Sequence, residues 1–151
     1  MITDTEILNA QEKWGDGIVN IGKLKGVPEE AMSYTKDFLE ESYDFKSGIQ
    51  FKPTKASEKQ FRNNIESALS YFIGGNENYS EDTGFAFKPW VSVEFKNDTV
   101  KIYENIAIAM GNYLFKDTSG STTKVEYSFA YIKSRGVVKI ILHHSSLPYS
   151  I

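Results

Sequence analysis

From Phe85 to its end the chain carries strand signal almost without a break, and that run decides the class of fold. Trp90–Phe95, Val100–Asn105, Ile106–Phe115, Thr122–Lys133 and Val137–Ser146 are rich in the β-branched and aromatic residues that suit a pleated, half-buried surface. Asn97-Asp98, Asp117–Gly120 and Ser134–Gly136 separate them and read as hairpin connections. Strand side chains alternate between two faces. Val125, Tyr127, Phe129 and Tyr131 therefore share one face, with Lys124, Glu126, Ser128, Ala130 and Ile132 opposite. In the preceding runs, Ile102, Ile106, Ile108, Met110 and Leu114 share the even face.

Helical spacing precedes the strands. Ile7, Ala10, Trp14, Ile18 and Ile21 form one apolar stripe over Thr3–Leu24, and Thr3 with Glu6 has the form of a capping box. Gly15, Gly17 and Gly22 each cost about 1 kcal/mol relative to Ala inside a helix, so a close neighbour is expected along that side. Pro28 suits the first turn of a second helix to Glu41, with Ala31 and Phe38 inward and Met32 and Leu39 as further candidates. Tyr43–Pro53 reads as an extended segment. Ser57–Ile73 reads as a third helix, with Ser57 and Gln60 as its capping box and Phe61, Ile65, Ala68, Leu69 and Phe72 on its apolar side. Tyr71 falls near that helix's end, where a tyrosine is half-buried with its hydroxyl at the rim. Helices followed by a run of antiparallel strands make an α+β fold. We expect one domain over residues 1–151, with the helices on one face of a strongly curved sheet, forming a half-open cone.

The last strand, VVKIILHHSSLP, carries the chemistry. Strict alternation puts Val138, Ile140, Leu142, His144 and Ser146 on one face and Val137, Lys139, Ile141, His143 and Ser145 on the other. The even face is apolar until it meets His144 and Ser146, so these two are expected to line a pocket of mostly apolar walls with a few polar groups. A bulge ahead of the motif would invert that assignment. His143 and His144 are the only histidines, they point apart, and there is no cysteine to complete a zinc site. No metal and no cofactor is expected. A net charge of −3 argues against nucleic-acid or membrane-surface partners, which favour a basic patch. The first residues show no basic segment followed by an apolar one, so a cytoplasmic protein is expected. Apolar and aromatic residues on more than one sheet face, such as Ala130 and Ile132 outside the Tyr127 row, point to a homodimer through the sheet.

Four phrases, AQEKWGDGIVNIGK in the first helix, FKPTKA before the third, LSYFIGG closing it and LHHSSLP at the end, resemble the bacterial branch of the iota-class carbonic anhydrases. The resemblance covers nearly the whole chain. It implies the cone-shaped barrel of the nuclear transport factor 2 (NTF2-like) superfamily, shared with SnoaL-type cyclases and the calcium/calmodulin-dependent kinase association domain. It also implies metal-independent hydration of CO2 to bicarbonate. Thr54 matches the Thr of FKPT, Tyr71 the helix-end Tyr (with Tyr79 as the alternative), and His144 and Ser146 the second His and second Ser of the motif. The resemblance gives Thr54, Tyr71 and Ser146 the task of orienting water and the substrate oxygens, with His144 as base or proton shuttle and His143 and Ser145 as further substrate contacts. Aromatic rings of the inner sheet face would hold CO2. The same architecture also hosts non-catalytic binding and oligomerisation modules.

Overall fold

A computed structural model describes residues 1–151. Helix α1 (Asp4–Gly22), helix α2 (Pro28–Ser42), a short strand β1 (Gln50–Lys52) and helix α3 (Ile65–Ile73) precede four long strands. These are β2 (Trp90–Tyr103), β3 (Ile106–Asp117), β4 (Thr122–Ser134) and β5 (Val137–Ser146). The strands form one sheet in the order β1-β5-β4-β3-β2. The four long strands pair antiparallel, whereas β1 runs parallel to β5. No helix is long and apolar enough to cross a membrane.

The α1 start is as expected. Thr3 Oγ1 accepts from the Glu6 N–H and the Glu6 carboxylate accepts from the Thr3 N–H, at 3.2 and 3.1 Å. The glycines of α1 also have their close neighbours: a Cβ on Gly17 would run into the Phe38 ring of α2, and one on Gly22 would meet the Ala86 carbonyl oxygen at 2.8 Å. Helix and sheet then meet around Trp14, which is buried within a cluster of 24 core residues. Its ring lies 5.6 Å from both Tyr113 and His143. The inner sheet face supplies Ala107, Ala109, Tyr113 and Phe115 from β3 and Val125, Tyr127, Phe129 and Tyr131 from β4, all buried.

Three local expectations give way to tertiary structure. Asn97-Asp98 is no hairpin: β2 continues through it with a bulge, its partners stepping from Asn97↔Gly111 to Thr99↔Met110. The cause is Gln11, a buried amide in α1 that exchanges hydrogen bonds of 2.8 and 2.9 Å with the Asn97 side chain. A buried amide is costly without such partners, and the extra residue turns Asn97 toward it. Of Tyr43–Pro53 only Gln50–Lys52 forms a strand. Helix α3 starts at Ile65 rather than Ser57, capped by Asn64 and Ser67. The N–H groups of Ser57, Glu58 and Lys59 instead converge on the Glu81 carboxylate, at 2.7 to 3.2 Å, while Arg62 is drawn fully into the interior. Phe61 consequently lies outside, as does Met32.

Candidate active site

The local geometry of β5 fixes which half of the HHSS motif faces the core. Ile140 pairs with Tyr131 and Leu142 with Ala130, so Ile141 is an extra residue with no partner in β4. A bulge of this kind resets the alternation of the strand. Before it, Ile140 points inward, 3 % exposed; after it, His143 and Ser145 do, at 2 % and 1 %. His144 is exposed and Ser146 half-buried on the outer face, where the Ser146 hydroxyl donates to Glu126 at 3.4 Å. The expectation that His144 and Ser146 line the pocket is therefore corrected. Strict alternation fails because the strand contains one residue too many.

The other candidates reach the same place. Thr54 lies just beyond β1, and its hydroxyl is 2.6 Å from Ser145 Oγ. Tyr71, buried near the end of α3, accepts from the Lys55 N–H at 3.2 Å. Tyr79 is outside, under the Arg62 guanidinium 4.6 Å from its ring centre. Together with Tyr113 and His143, these groups line a small cavity walled by Trp14, Phe51, Pro53, Phe72, Phe85 and Phe115. No carboxylate lines it. Its volume of about 10 Å³ is roughly what one water molecule needs. A wider surface depression, about 980 Å³, lies between α1, α2 and the start of β5 and contains none of these polar groups.

One hydrogen-bonded series runs from the core to the cavity. Trp14 Nε1–H donates to Tyr43 Oη at 3.0 Å, and Tyr43 Oη is 2.8 Å from His143 Nδ1. His143 Nε2 is 3.0 Å from Tyr113 Oη, which is 2.5 Å from Ser145 Oγ. The imidazole is sandwiched between the rings of Phe129 and Phe51, at 4.1 and 4.8 Å between centres. Burial, with a smaller contribution from His144, pushes its pKa well below the ordinary histidine value, so it is neutral near pH 7. Burial likewise raises the Tyr71 and Tyr113 phenols above their ordinary values. Both stay protonated and available as donors.

Thr54 sits at the head of an irregular segment, 54–64, that is fastened at two points. Backbone N–H groups of Ser57, Lys59 and Glu58 hold the Glu81 pKa down to about 2. Arg62 binds Asp82 through both terminal nitrogens at 2.7 and 2.8 Å, and donates to the Lys59 and Ser67 carbonyls at 2.7 and 2.9 Å. No group of three or more His, Cys, Asp or Glu is brought together as a metal site.

Thr54, Tyr71, His143 and Ser145 thus converge, and His144 and Ser146 do not. Sequence reasoning also missed Tyr43 and Tyr113 and treated Trp14 as core alone. Tyr113 had a usable signal: it shares the odd face of β3 with Phe115, opposite the outward Ile108 and Met110. Tyr43 had none, because its hydroxyl reaches the site only through the folded chain.

A family model for metal-independent carbonic anhydrases matches residues 5–147. A metal-independent carbonic anhydrase of Nostoc sp. is 38% identical over 154 residues, covering 98% of this chain and 75% of the relative. The crystal structure of a cyanobacterial iota-carbonic anhydrase complexed with bicarbonate superposes with a TM-score of 0.95 at 36% identity, covering 99% of this chain and 94% of that one. An NTF2-like protein from Novosphingobium aromaticivorans shares the fold, with a TM-score of 0.56 at 11% identity over 96% of this chain and 86% of its own.

Proposed function

The chain belongs to the metal-independent carbonic anhydrase family and catalyses the reversible hydration of CO2 to bicarbonate, and on that premise we propose that the cavity around Ser145 is where the reaction takes place. The observation that carries this reading is the position of Ser145 Oγ, held between Tyr113 Oη at 2.5 Å and Thr54 Oγ1 at 2.6 Å at the edge of an aromatic cavity. CO2 is apolar with an electrophilic carbon, and the rings of Phe51, Phe72, Phe85 and Phe115 give it a weakly polar seat. Water attacks that carbon, a C–O bond forms, and one O–H bond of the attacking water breaks, its proton passing to solvent water. Negative charge builds on the substrate oxygens as this happens. Hydroxyl donors already aimed at those oxygens stabilise the developing charge without reorganising, and Thr54 and Tyr71 are placed to do so, with Ser145 orienting the Thr54 hydroxyl. His143 stands behind Tyr113 as an uncharged support.

The test is CO2 hydration followed by stopped flow on chelator-treated protein. Wild type is expected to keep its activity, and Tyr71→Phe to lose about tenfold in kcat/KM, the worth of one hydrogen bond made in the transition state. Full activity in Tyr71→Phe would remove Tyr71 from the site.

We further propose that the outer sheet face joins two copies of the chain. Ile108 and Met110 stand 44 % and 60 % exposed there, in cross-strand rows with Ala130 and Leu142 and with Ser128 and His144. An apolar patch on a regular sheet surface suits a self-complementary two-fold contact. Sedimentation at micromolar concentration should show a dimer that Met110→Lys converts to monomer; a wild-type monomer would reject the interface.

A further inference from the structure

The orientation of the hydroxyls at the cavity is set from the far end of the series, by Trp14 and Tyr43. An indole N–H can only donate. Trp14 therefore places its proton on Tyr43 Oη, 3.0 Å away. Tyr43 is 1 % exposed, and its own O–H has one acceptor at hand, His143 Nδ1 at 2.8 Å. If Nδ1 accepts, the single proton of a neutral imidazole sits on Nε2, and Nε2–H donates to Tyr113 Oη at 3.0 Å. The Tyr113 O–H then goes to Ser145, and the Ser145 O–H to Thr54. In the opposite sense, Nδ1–H would point at Tyr43, whose oxygen would accept twice while its own proton faced nothing. A buried donor left unpaired is costly. Only the outward sense satisfies every member.

We propose that Trp14 and Tyr43 are positioning residues which hold His143 as its Nε2–H tautomer and so commit the Ser145 O–H to Thr54, leaving the Thr54 O–H to point at the substrate. This rests on the reading of Ser145 as a substrate-orienting group. It has a second consequence for the reaction. The series begins at a group that neither accepts nor relays a proton, so the proton released by hydration cannot travel inward through His143.

The experiment is 15N NMR of histidine-labelled protein, in which only His143 and His144 report. His143 is expected to show a protonated Nε2 and a bare Nδ1. Tyr43→Phe removes the donor to Nδ1; it should shift His143 toward the Nδ1–H tautomer and lower kcat about tenfold, the worth of one neutral hydrogen bond, with little change in KM. Nδ1–H in the wild type would overturn the proposal, and that measurement needs no variant to fold. An unchanged tautomer in folded Tyr43→Phe would overturn it too, even with a lower kcat, because the loss would then be one of packing alone. A fully active Ser145→Ala would instead sink the site assignment and leave the tautomer where it was, so the two failures are distinguishable.

Discussion

Ser145→Ala is expected to lower kcat/KM for CO2 hydration by about 10²- to 10³-fold, the usual cost of losing one preorganised donor at developing charge, because it breaks the series that aims the Thr54 hydroxyl. Ser146→Ala, one residue along, should stay close to wild type. The contrast follows from burial and partners. Ser145 is 1 % exposed, between Tyr113 and Thr54, whereas Ser146 faces outward and reaches only Glu126 at 3.4 Å. The same split is expected of the histidines: His143→Ala empties the sandwich between Phe51 and Phe129 and takes one hydrogen-bond partner from each of Tyr43 and Tyr113, while His144→Ala leaves the cavity untouched. Stopped-flow rates for the two serine variants, with circular dichroism to confirm folding, check this directly. Loss in Ser146→Ala with a silent Ser145→Ala would show that the strand alternates without its bulge.

The largest loss of stability should come from outside the cavity. Asp82→Ala leaves the Arg62 guanidinium, 0 % exposed, without its bidentate partner. Breaking a buried ion pair from one side costs about 3–5 kcal/mol, and for a chain of this length that lowers Tm by roughly 10 °C or more. Ser70 loses its partner as well, since its hydroxyl donates to Asp82 at 2.5 Å. Calorimetry on Asp82→Ala and on the double variant Arg62→Met, Asp82→Leu separates the causes. The double variant should recover much of the loss, because it removes the charge along with its partner. A single variant that melts with the wild type would mean that Arg62 finds enough support from the Lys59 and Ser67 carbonyls and from Glu81.

What the sequence makes legible follows the range of the interactions that decide it. The Thr3–Glu6 cap and the Val125–Tyr131 face rest on neighbours within a few residues, and both can be read directly. The start of α3 cannot, because Glu81 captures the N–H groups of Ser57, Glu58 and Lys59 from over 20 residues away. The bulge at Asn97 answers to Gln11, 86 positions earlier. Thr54, Tyr71 and the HHSS motif carry their own signal through residue type and resemblance, so the site's membership is largely readable. Its inward pair is not, since the residue types HH and SS are the same on both faces and the extra residue, Ile141, leaves no local mark.

That doubling has a consequence of its own. With the bulge in place, an imidazole and a hydroxyl two residues further on enter the core as His143 and Ser145. In a strand that kept strict alternation, His144 and Ser146 would enter in the same relative places. The motif is thus redundant with respect to register: a slip by one position, which ordinarily exchanges every inward side chain of a strand for its outward neighbour, would here exchange histidine for histidine and serine for serine. Mutations that erase or move the bulge are buffered at the level of chemistry, and their cost falls on packing, where Leu142, now paired with Ala130, would have to turn inward.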